Sequence, residues 1–407
     1  MSNATQSLAG TRITSLLDAN SFVEIGQGVT ARSTDFNMTA NKAPSDGVIT
    51  GYGVIDGNLV YVYSQDASVL NGTVGEMHAK KISALYDLAI KTGAPVIGLV
   101  DCAGMRLQEA TDALEAFGGI YFKQTMASGM IPQITAVFGT CGGGMAVVPA
   151  LTDFTFIEAK KGKMFVNSPN ALDGNYTEKC DTAAADYQSK ETGLIDAVES
   201  EEEILAEIRQ LVSLLPSNFE DNDSFAECTD DLNRACEDIA ACAGDTSIAL
   251  SRIADNGQFF EVKADYGKNI ATGFIRLNGQ TVGVVANRSK VYGADAETEA
   301  EFDAGLTVDG CAKAADFVNF CDAFSIPVLT LTNVAGFAAT VESEKNMAKA
   351  VARLTYAFAN ATVPKVNVIV GKAFGSAYVA MNSKSVGADL VYAWPTAEIG
   401  MMDAKLA

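Results

Sequence analysis

Two short turns rich in small residues are the parts of this chain best suited to chemistry. Residues 141–145 read Cys-Gly-Gly-Gly-Met, and residues 373–377, which lie 232 positions later, read Ala-Phe-Gly-Ser-Ala. Each follows an apolar run typical of a buried strand and precedes a short helical run, so each predicts backbone N–H groups at a helix N-terminus that can bind an oxyanion. A Gly-Gly-Gly run alone is also typical of a tight structural turn, but its small-residue counterpart in the second half favours function.

Side chains that could act as acids, bases or nucleophiles are few near these turns. His78, the single histidine, lies on a predicted helix and could be a base, but a structural or solvated role is the favoured interpretation. Ser376 resembles a nucleophile at an elbow, yet no histidine accompanies it, and serine needs such activation. Asp101 and Glu109 are interpreted as structural. A reaction with two oxyanion sites and little side-chain acid–base chemistry fits this inventory.

The elements that must position the turns occur twice. Asp56-Gly57 and Asn278-Gly279 each separate two β-prone runs, which predicts a hairpin in each half, with an offset of 222. The helices and strands that follow are predicted at 77–90, 95–100, 107–128 and 131–138, and again at 313–324, 328–331, 348–358 and 365–370. The offset grows by ten between the hairpins and the turns, and we expect the extra residues within 292–307.

The duplication predicts two domains, residues 1–217 and 218–407, joined by an acidic and aperiodic stretch at 216–232. Ser200 and Glu203 have the form of a capping box, which marks the start of the last helix of the first copy. The offset of 232 makes Ala407 the counterpart of Asn175, so the second copy lacks about 40 residues that close the first. We therefore expect a chain truncated at its C-terminus.

Composition restricts the classes of function. The formal net charge of −21 argues against nucleic-acid binding, although local fields and helix N-termini can still bind a small anion. Eight scattered cysteines without a CxxC pair, and one histidine, predict no metal site. No apolar run is long enough to span a membrane, and the N-terminus lacks the features of a signal peptide. These features predict a soluble, cytoplasmic protein.

Four longer phrases of the sequence resemble a known family. They lie at residues 76–82, 93–99, 128–134 and 392–399. The phrases resemble the carboxyltransferase subunits of biotin-dependent enzymes, among them propionyl-CoA carboxylase β subunits and methylmalonyl-CoA decarboxylase α subunits. The resemblance implies an α/β fold of two tandem crotonase-like (ClpP/crotonase) ββα superhelical domains related by internal duplication.

The resemblance also implies roles for particular residues. The N–H groups of Gly143 and Gly144 would stabilise the enolate of an acyl-CoA thioester, and the N–H groups of Ser376 and Ala377 would hold the ureido oxygen of biotin. Substrate binding is expected from four neighbours of the turns: Ala103, Gly104, Tyr378 and Val379.

Two positions depart from the family pattern. Ser376 replaces a frequent glycine, which preserves a backbone donor provided that φ stays negative. Val379 stands where propionyl-CoA carboxylases often have aspartate, a position that influences the choice of acyl chain, so acyl preference is open. The loop that follows Gly336-Phe337 also lacks the Leu-Pro-Gly frequently seen there.

The cofactors and partners follow from the same resemblance. Biotin would serve as the base, and the acyl-CoA thioester would be the other reactant. The chain has no Ala-Met-Lys-Met attachment motif, so biotin is expected on a separate carboxyl carrier protein. A biotin carboxylase or membrane decarboxylase subunits complete the expected complex, and the chain itself is expected to form a homo-oligomer based on dimers, up to a hexamer.

Several alternatives remain open at this stage. Transfer in the reverse direction would make the chain a decarboxylase α subunit in a sodium-pump complex. A CoA hydratase or isomerase would need acidic residues poised in the first copy, and a ClpP-like peptidase would need a triad histidine. A non-catalytic scaffold of crotonase fold is the fourth possibility.

Overall fold

The computed structural model describes residues 7–32, 43–175, 179–221, 225–236, 239–293 and 297–407. The chain divides into two compact units, Met1–Asp221 and Asn222–Ala407. The boundary expected after residue 217 lies four residues before this division. Within the described residues no helix is long and apolar enough to cross a membrane.

Unit 1 is built on one mixed sheet with the strand order β1-β2-β3-β4-β5-β6-β8, and β7 pairs with the end of β5. Strands β1 to β3 are antiparallel, and the strands from β3 onward run parallel. The strands are β1 (Val23–Ile25), β2 (Val48–Ile55), β3 (Asn58–Gln65), β4 (Val96–Cys102), β5 (Gln133–Gly142), β6 (Phe154–Glu158), β7 (Lys163–Phe165) and β8 (Ala197–Glu199).

Local signals in the sequence explain where the helices of unit 1 begin and end. Gly93 terminates α2 in the left-handed conformation, with φ +64°. Ser200 and Glu203 form the expected capping box at the start of α6. The helices are α1 (Leu8–Leu16), α2 (Glu76–Thr92), α3 (Ala110–Ala127), α4 (Val147–Ala150), α5 (Ala185–Glu191) and α6 (Glu201–Leu214).

The core of unit 1 lies between the sheet and helices α2 and α3. β4 is apolar and almost entirely buried, as expected for a parallel strand covered on both faces. Ile82, Leu85 and Ile120 are at most 1% exposed against it. Burying each such side chain contributes about 1.5–3 kcal/mol. Because β4 and β5 pair in parallel, their carboxyl ends lie together at one edge of the sheet.

Unit 2 repeats this arrangement with the strand order β18-β17-β15-β11-β10-β9, and β19 pairs with the end of β17. Its strands are β9 (Phe259–Val262), β10 (Ile270–Leu277), β11 (Gln280–Asn287), β12 (Lys290–Tyr292), β13 (Thr298–Glu301), β14 (Gly305–Leu306), β15 (Val328–Val334), β16 (Gly336–Phe337), β17 (Lys365–Phe374), β18 (Leu390–Ala393) and β19 (Glu398–Gly400). Its helices are α7 (Thr246–Ile253), α8 (Val308–Ala323), α9 (Val341–Glu344), α10 (Met347–Asn360) and α11 (Gly375–Ala380).

The hairpin at the start of each unit is held in the same way. Asp56 and Gly57 both have positive φ, as do Asn278 and Gly279, which is the type I′ geometry that suits a two-residue hairpin. In unit 1 the Asp18 carboxylate accepts the N–H groups of the turn at 3.1 and 3.2 Å. In unit 2 Asp255 does the same at 3.0 and 2.6 Å. The hairpins predicted from Asp-Gly and Asn-Gly are confirmed.

The insertion lies close to where it was expected. Unit 1 has ten residues between β3 and α2, whereas unit 2 has 20 between β11 and α8, at positions 288–307. β12 and β13 pair antiparallel inside this segment, and β14 pairs with β16. Residues 294–296 of the predicted insertion lie outside the described residues.

The division between the units lies within the linker predicted at 216–232, and the start of this stretch is held to unit 1, because the Asn218 side chain donates to Gly93 O and the N–H of Phe219 donates to Met130 O. One expectation needs correction, since the offset of 232 fails beyond the turns. Lys163 of β7 and Glu398 of β19 have equivalent partners but lie 235 positions apart. Ala407 therefore corresponds to residue 172 rather than to Asn175.

Candidate functional site

The turn of unit 1 begins directly at the end of β5. A 3₁₀ turn, Gly143–Ala146, leads into α4. Gly143 has φ +60°, a conformation that costs other residues about 1–2 kcal/mol. A Cβ at Gly143 would meet no atom within 4 Å, so glycine is required here by backbone conformation rather than by space. Gly143 is half-buried, Gly144 is exposed and Met145 is buried.

The turn of unit 2 also begins with a left-handed glycine at the end of β17, but it leads directly into an α-helix. Gly375 opens α11 with φ +59°. Gly375 is half-buried, Ser376 is exposed and Ala377 is buried, which repeats the pattern of the first turn residue by residue. Ser376 lies inside the helix without a positive φ, so the exchange of glycine for serine is compatible with the backbone.

The equivalence of the two turns determines which N–H groups correspond. Gly143 matches Gly375, so the counterparts of Ser376 and Ala377 are Gly144 and Met145. The first N–H groups of a helix have no partner within the helix. Each turn thus presents three donors, which are Gly143, Gly144 and Met145 in unit 1 and Gly375, Ser376 and Ala377 in unit 2. The pairs inferred from the sequence omit Met145 in unit 1 and Gly375 in unit 2.

The expected substrate-binding neighbours lie beside these turns. Ala103 and Gly104 follow β4, where Ala103 is exposed and its N–H donates to Asn71 O at 3.1 Å. Gly104 has φ +111°, and a Cβ there would lie 3.0 Å from Gly142 O, so this loop contacts the strand end just before the first turn. On α11, Tyr378 is half-buried and Val379 is 40% exposed.

Near each turn, a side chain at a β-bulge of the neighbouring strand accepts a backbone hydrogen bond from the strand that leads into the turn. The register of β4 against β5 shifts just before Cys102, and the register of β15 against β17 shifts at the equivalent place. Asp101 Oδ1 accepts the N–H of Thr140 at 3.3 Å, and Asn333 Oδ1 accepts the N–H of Lys372 at 2.9 Å. A Cβ at Gly139 or Gly371 would collide with these side chains.

Asp101 therefore has the structural role expected of it. It also forms an ion pair with Arg12, whose Nη1 lies 3.6 Å from Asp101 Oδ2. Glu109 is structural too, because it pairs with the buried Arg106 at 2.9 Å and accepts the N–H of Glu76 at 2.6 Å. Neither carboxylate is free to serve as a base at the turn.

His78 is fully buried in a polar network behind the first turn. Its Nδ1 lies 3.1 Å from Asp46 O, and its Nε2 lies 3.1 Å from Gln65 Nε2. Gln65 Nε2 in turn lies 3.8 Å from Met145 Sδ. Burial, aided by the charge of Arg106, lowers the pKa of His78 to about 3. His78 is a neutral structural residue, as the second interpretation of the sequence held.

One residue of the site was missed from the sequence. Tyr121 of α3 donates its hydroxyl to Gly144 O at 2.5 Å, and Phe117, one helical turn earlier, packs beside it. The spacing of two aromatic residues four apart on a helix indicates a shared face. That spacing does not reveal which loop the face meets, because the contact depends on how α3 packs against the end of β5.

Comparisons with known proteins agree with this architecture. The carboxyl transferase domain matches residues 3–407. The propionyl-CoA carboxylase beta chain of Roseobacter denitrificans is 43% identical over 97% of this chain and 78% of its own. The methylmalonyl-CoA decarboxylase subunit alpha of Propionigenium modestum is 40% identical over 96% of this chain and 76% of its own.

A solved structure shows the same fold. Transcarboxylase 12S, crystallised as a hexamer with methylmalonyl-coenzyme A and methylmalonic acid bound, superposes with a TM-score of 0.89 at 36% identity. The superposition covers 97% of this chain and 76% of that one. The duplicated crotonase-like α/β fold expected from the sequence is confirmed.

The fold and the similarities define the class, which is that of the biotin-dependent acyl-CoA carboxyltransferases. This chain belongs to the carboxyl transferase family. The resemblance inferred from four phrases of the sequence is thereby confirmed. Membership favours a carboxyltransferase over the hydratase, peptidase and scaffold alternatives.

Proposed function

We propose that the two turns divide the reaction between them. The first turn stabilises the enolate of an acyl-CoA thioester through the N–H groups of Gly143 and Gly144, with Met145 as a third donor. The second holds the ureido oxygen of biotin through the N–H groups of Ser376 and Ala377. The observation that carries this proposal is that two turns within one chain each begin with a left-handed glycine at a strand end and share the same order of exposure.

The donor sets suit these two groups. A thioester enolate and a ureido oxygen both concentrate negative charge on one oxygen, which backbone N–H groups at a helix start bind without a charged side chain. Biotin, when bound, carries the carboxyl group and supplies the base for the acyl α-proton. This division of labour explains why His78, Asp101 and Glu109 are engaged in structural contacts instead of facing the turn.

Each residue of the proposed site then has a definite task. Gly143 and Gly144 allow the thioester oxygen to approach the backbone and stabilise charge as it develops there. Ala103 and Gly104 border the acyl-CoA side, whereas Tyr378 and Val379 border the biotin side.

Two directions of transfer are supported by relatives. The relative from Roseobacter is a propionyl-CoA carboxylase chain, and the relative from Propionigenium is a methylmalonyl-CoA decarboxylase chain, at nearly equal identity. The oxyanion chemistry is the same in both directions because the enolate is common to them. We propose that biotin resides on a separate carrier protein and that the chain forms a homo-oligomer, as transcarboxylase 12S does.

The enolate assignment is tested by Gly143→Ala. A φ of +60° is unfavourable for alanine, but the added Cβ would meet no atom within 4 Å. The substitution therefore distorts the turn without a steric collision. Loss of one donor from an oxyanion site costs about 10²–10³ in rate, and we expect a loss of that size. The assay is release of propionyl-CoA from methylmalonyl-CoA in the presence of free biotin.

Gly57→Ala is a matched control. Gly57 has φ +85°, and a Cβ there also meets nothing within 4 Å, but it lies in the hairpin turn. Both variants should lose about 1–2 kcal/mol of stability. Only Gly143→Ala should lose turnover; equal activity in the two variants would remove the enolate role from this turn.

A further inference from the structure

Tyr121 contacts the backbone of the first turn directly through its side chain. Its hydroxyl donates to Gly144 O at 2.5 Å, and its ring packs against Phe117 with centroids 5.9 Å apart. A Cβ at position 144 would lie 3.0 Å from Tyr121 Oη. Glycine at 144 therefore admits the phenol as well as a ligand.

The bond to Gly144 O acts on the donor side of the turn. Gly144 C=O and Met145 N–H belong to one planar peptide unit and point in opposite directions. In a helical turn the carbonyl points toward the C-terminus, so the Met145 N–H points toward the helix start. Gly144 O also accepts the N–H of Val147, so two donors define the plane of this peptide.

The hydrogen bond from Tyr121 polarises this peptide as well as orienting it. A hydrogen bond to a carbonyl increases the dipole of its peptide, and the N–H of that peptide then becomes a stronger donor. Burial raises the pKa of Tyr121, so the phenol stays protonated and keeps its proton to donate. At the equivalent helix position of unit 2 stands Arg353, which is paired with Asp316.

We propose that Tyr121 is a positioning residue for the acyl-CoA turn. Its hydroxyl holds the peptide between Gly144 and Met145 so that the Met145 N–H points at the thioester oxygen as charge develops there. The inference rests on the proposed enolate role of this turn. It adds that the first turn is strengthened by a phenol, whereas the equivalent helix position of unit 2 holds an arginine paired with Asp316.

The first measurement is spectroscopic and needs no turnover. Binding of [1-¹³C]propionyl-CoA to the wild-type protein should shift the labelled carbonyl stretch to lower frequency in infrared difference spectra, because the donors polarise the carbonyl. Tyr121→Phe keeps the ring and its packing, so the fold should be retained. The shift in this variant should be smaller than in the wild-type protein.

The second measurement is kinetic. We expect Tyr121→Phe to lower kcat for methylmalonyl-CoA with free biotin by about three- to tenfold, the effect of one hydrogen bond, with KM within about twofold. Such a split indicates a contact that strengthens in the transition state, whereas general damage to the binding site would raise KM. Tyr266→Phe is the matched control, since it also removes a hydrogen-bonded hydroxyl, the one donated to Asp309 Oδ1 at 2.9 Å, but in unit 2.

The outcomes separate this inference from the function on which it rests. A carbonyl shift that is equal in the wild-type protein and Tyr121→Phe, or a kcat equal to that of Tyr266→Phe, overturns the role of Tyr121 alone. A wild-type protein with no shift, or a shift that persists in Gly143→Ala, overturns the enolate assignment itself. A reduced shift with a reduced kcat in Tyr121→Phe alone supports the inference.

Discussion

His78 shows how burial determines the role of a single residue. Histidine in water titrates near neutral pH and is a common catalyst. Here both ring nitrogens lie within hydrogen-bond distance of Asp46 O and Gln65, and no part of the side chain is exposed. The free energy of bringing a charge into this environment favours the neutral ring and removes His78 from acid–base chemistry.

This burial predicts a pH dependence of stability. The pKa of His78 is about 3 in the folded protein and about 6.5 when unfolded, so the unfolded chain binds the additional proton between these values. The stabilisation is complete above pH 6.5 and is lost as pH falls toward 3. At about pH 5 the loss amounts to about 2 kcal/mol. The glutamine of His78→Gln cannot titrate, so the free energy of unfolding of this variant should lack this component of the pH dependence. Urea unfolding at about pH 7 and about pH 5 measures the difference.

The comparison must be made between variant and wild type. Burial raises the pKa of Asp153 to about 7, which acts in the opposite direction as the pH falls. This contribution is common to both proteins and cancels in the difference. Parallel pH profiles for His78→Gln and the wild-type protein would contradict the assignment of this slope to His78.

At the scale of elements, the bulges beside β5 and β17 explain why each strand contains a glycine four residues before the glycine that opens its turn. Asp101 and Asn333 turn back toward their neighbouring strands and accept one N–H each. The space that they occupy is available because Gly139 and Gly371 have no side chain. The strand end and the turn are thus held by a side chain from the adjacent strand.

Gly139→Ala should therefore damage both stability and activity. The added methyl collides with the Asp101 carboxylate, and the displaced carboxylate loses its bond to Thr140. Overpacking of this kind costs about 1–3 kcal/mol, and we expect a matching fall in thermal stability together with reduced turnover. Gly28→Ala, where a Cβ meets nothing within 4 Å, should leave both unchanged. If Gly139→Ala behaves as Gly28→Ala does, the bulge does not hold the turn.

At the scale of the whole molecule, one fold used twice supplies two similar turns with different surroundings. The first has a phenol on its carbonyl and a carboxylate at its bulge, whereas the second has serine in its turn and an uncharged amide at its bulge. Duplication followed by such local differences is suited to a reaction with two different oxygens to stabilise.

The assignment of one turn to each reactant predicts separable defects. Gly375→Ala strains φ +59° and places a Cβ 3.1 Å from Met401 O, which distorts the second turn. We expect this variant to bind propionyl-CoA with a Kd within about twofold of the wild-type value, while biotin-dependent turnover falls about 10²-fold or more. Calorimetric titration and the turnover assay check the two parts. A large loss of acyl-CoA affinity in Gly375→Ala would place the thioester on the second turn.

Much of the fold was predictable because its signals are local. Asp56-Gly57 and Asn278-Gly279 determine their hairpins, Gly93 ends α2, and Ser200 with Glu203 begins α6, since each of these depends on backbone conformation within a few residues. The repeat of such signals was sufficient to predict the duplication and to locate both turns.

The sequence by itself therefore determined that there are two copies, each with a strand that ends in a small-residue turn. Only the tertiary structure decided that the offset rises to 235 beyond the turns and that Tyr121 contacts Gly144. The physical reason is the distance along the chain over which the determining interactions act. Turns and caps depend on neighbours along the chain, whereas the register of paired strands and the loop that a helix face meets depend on packing between distant segments.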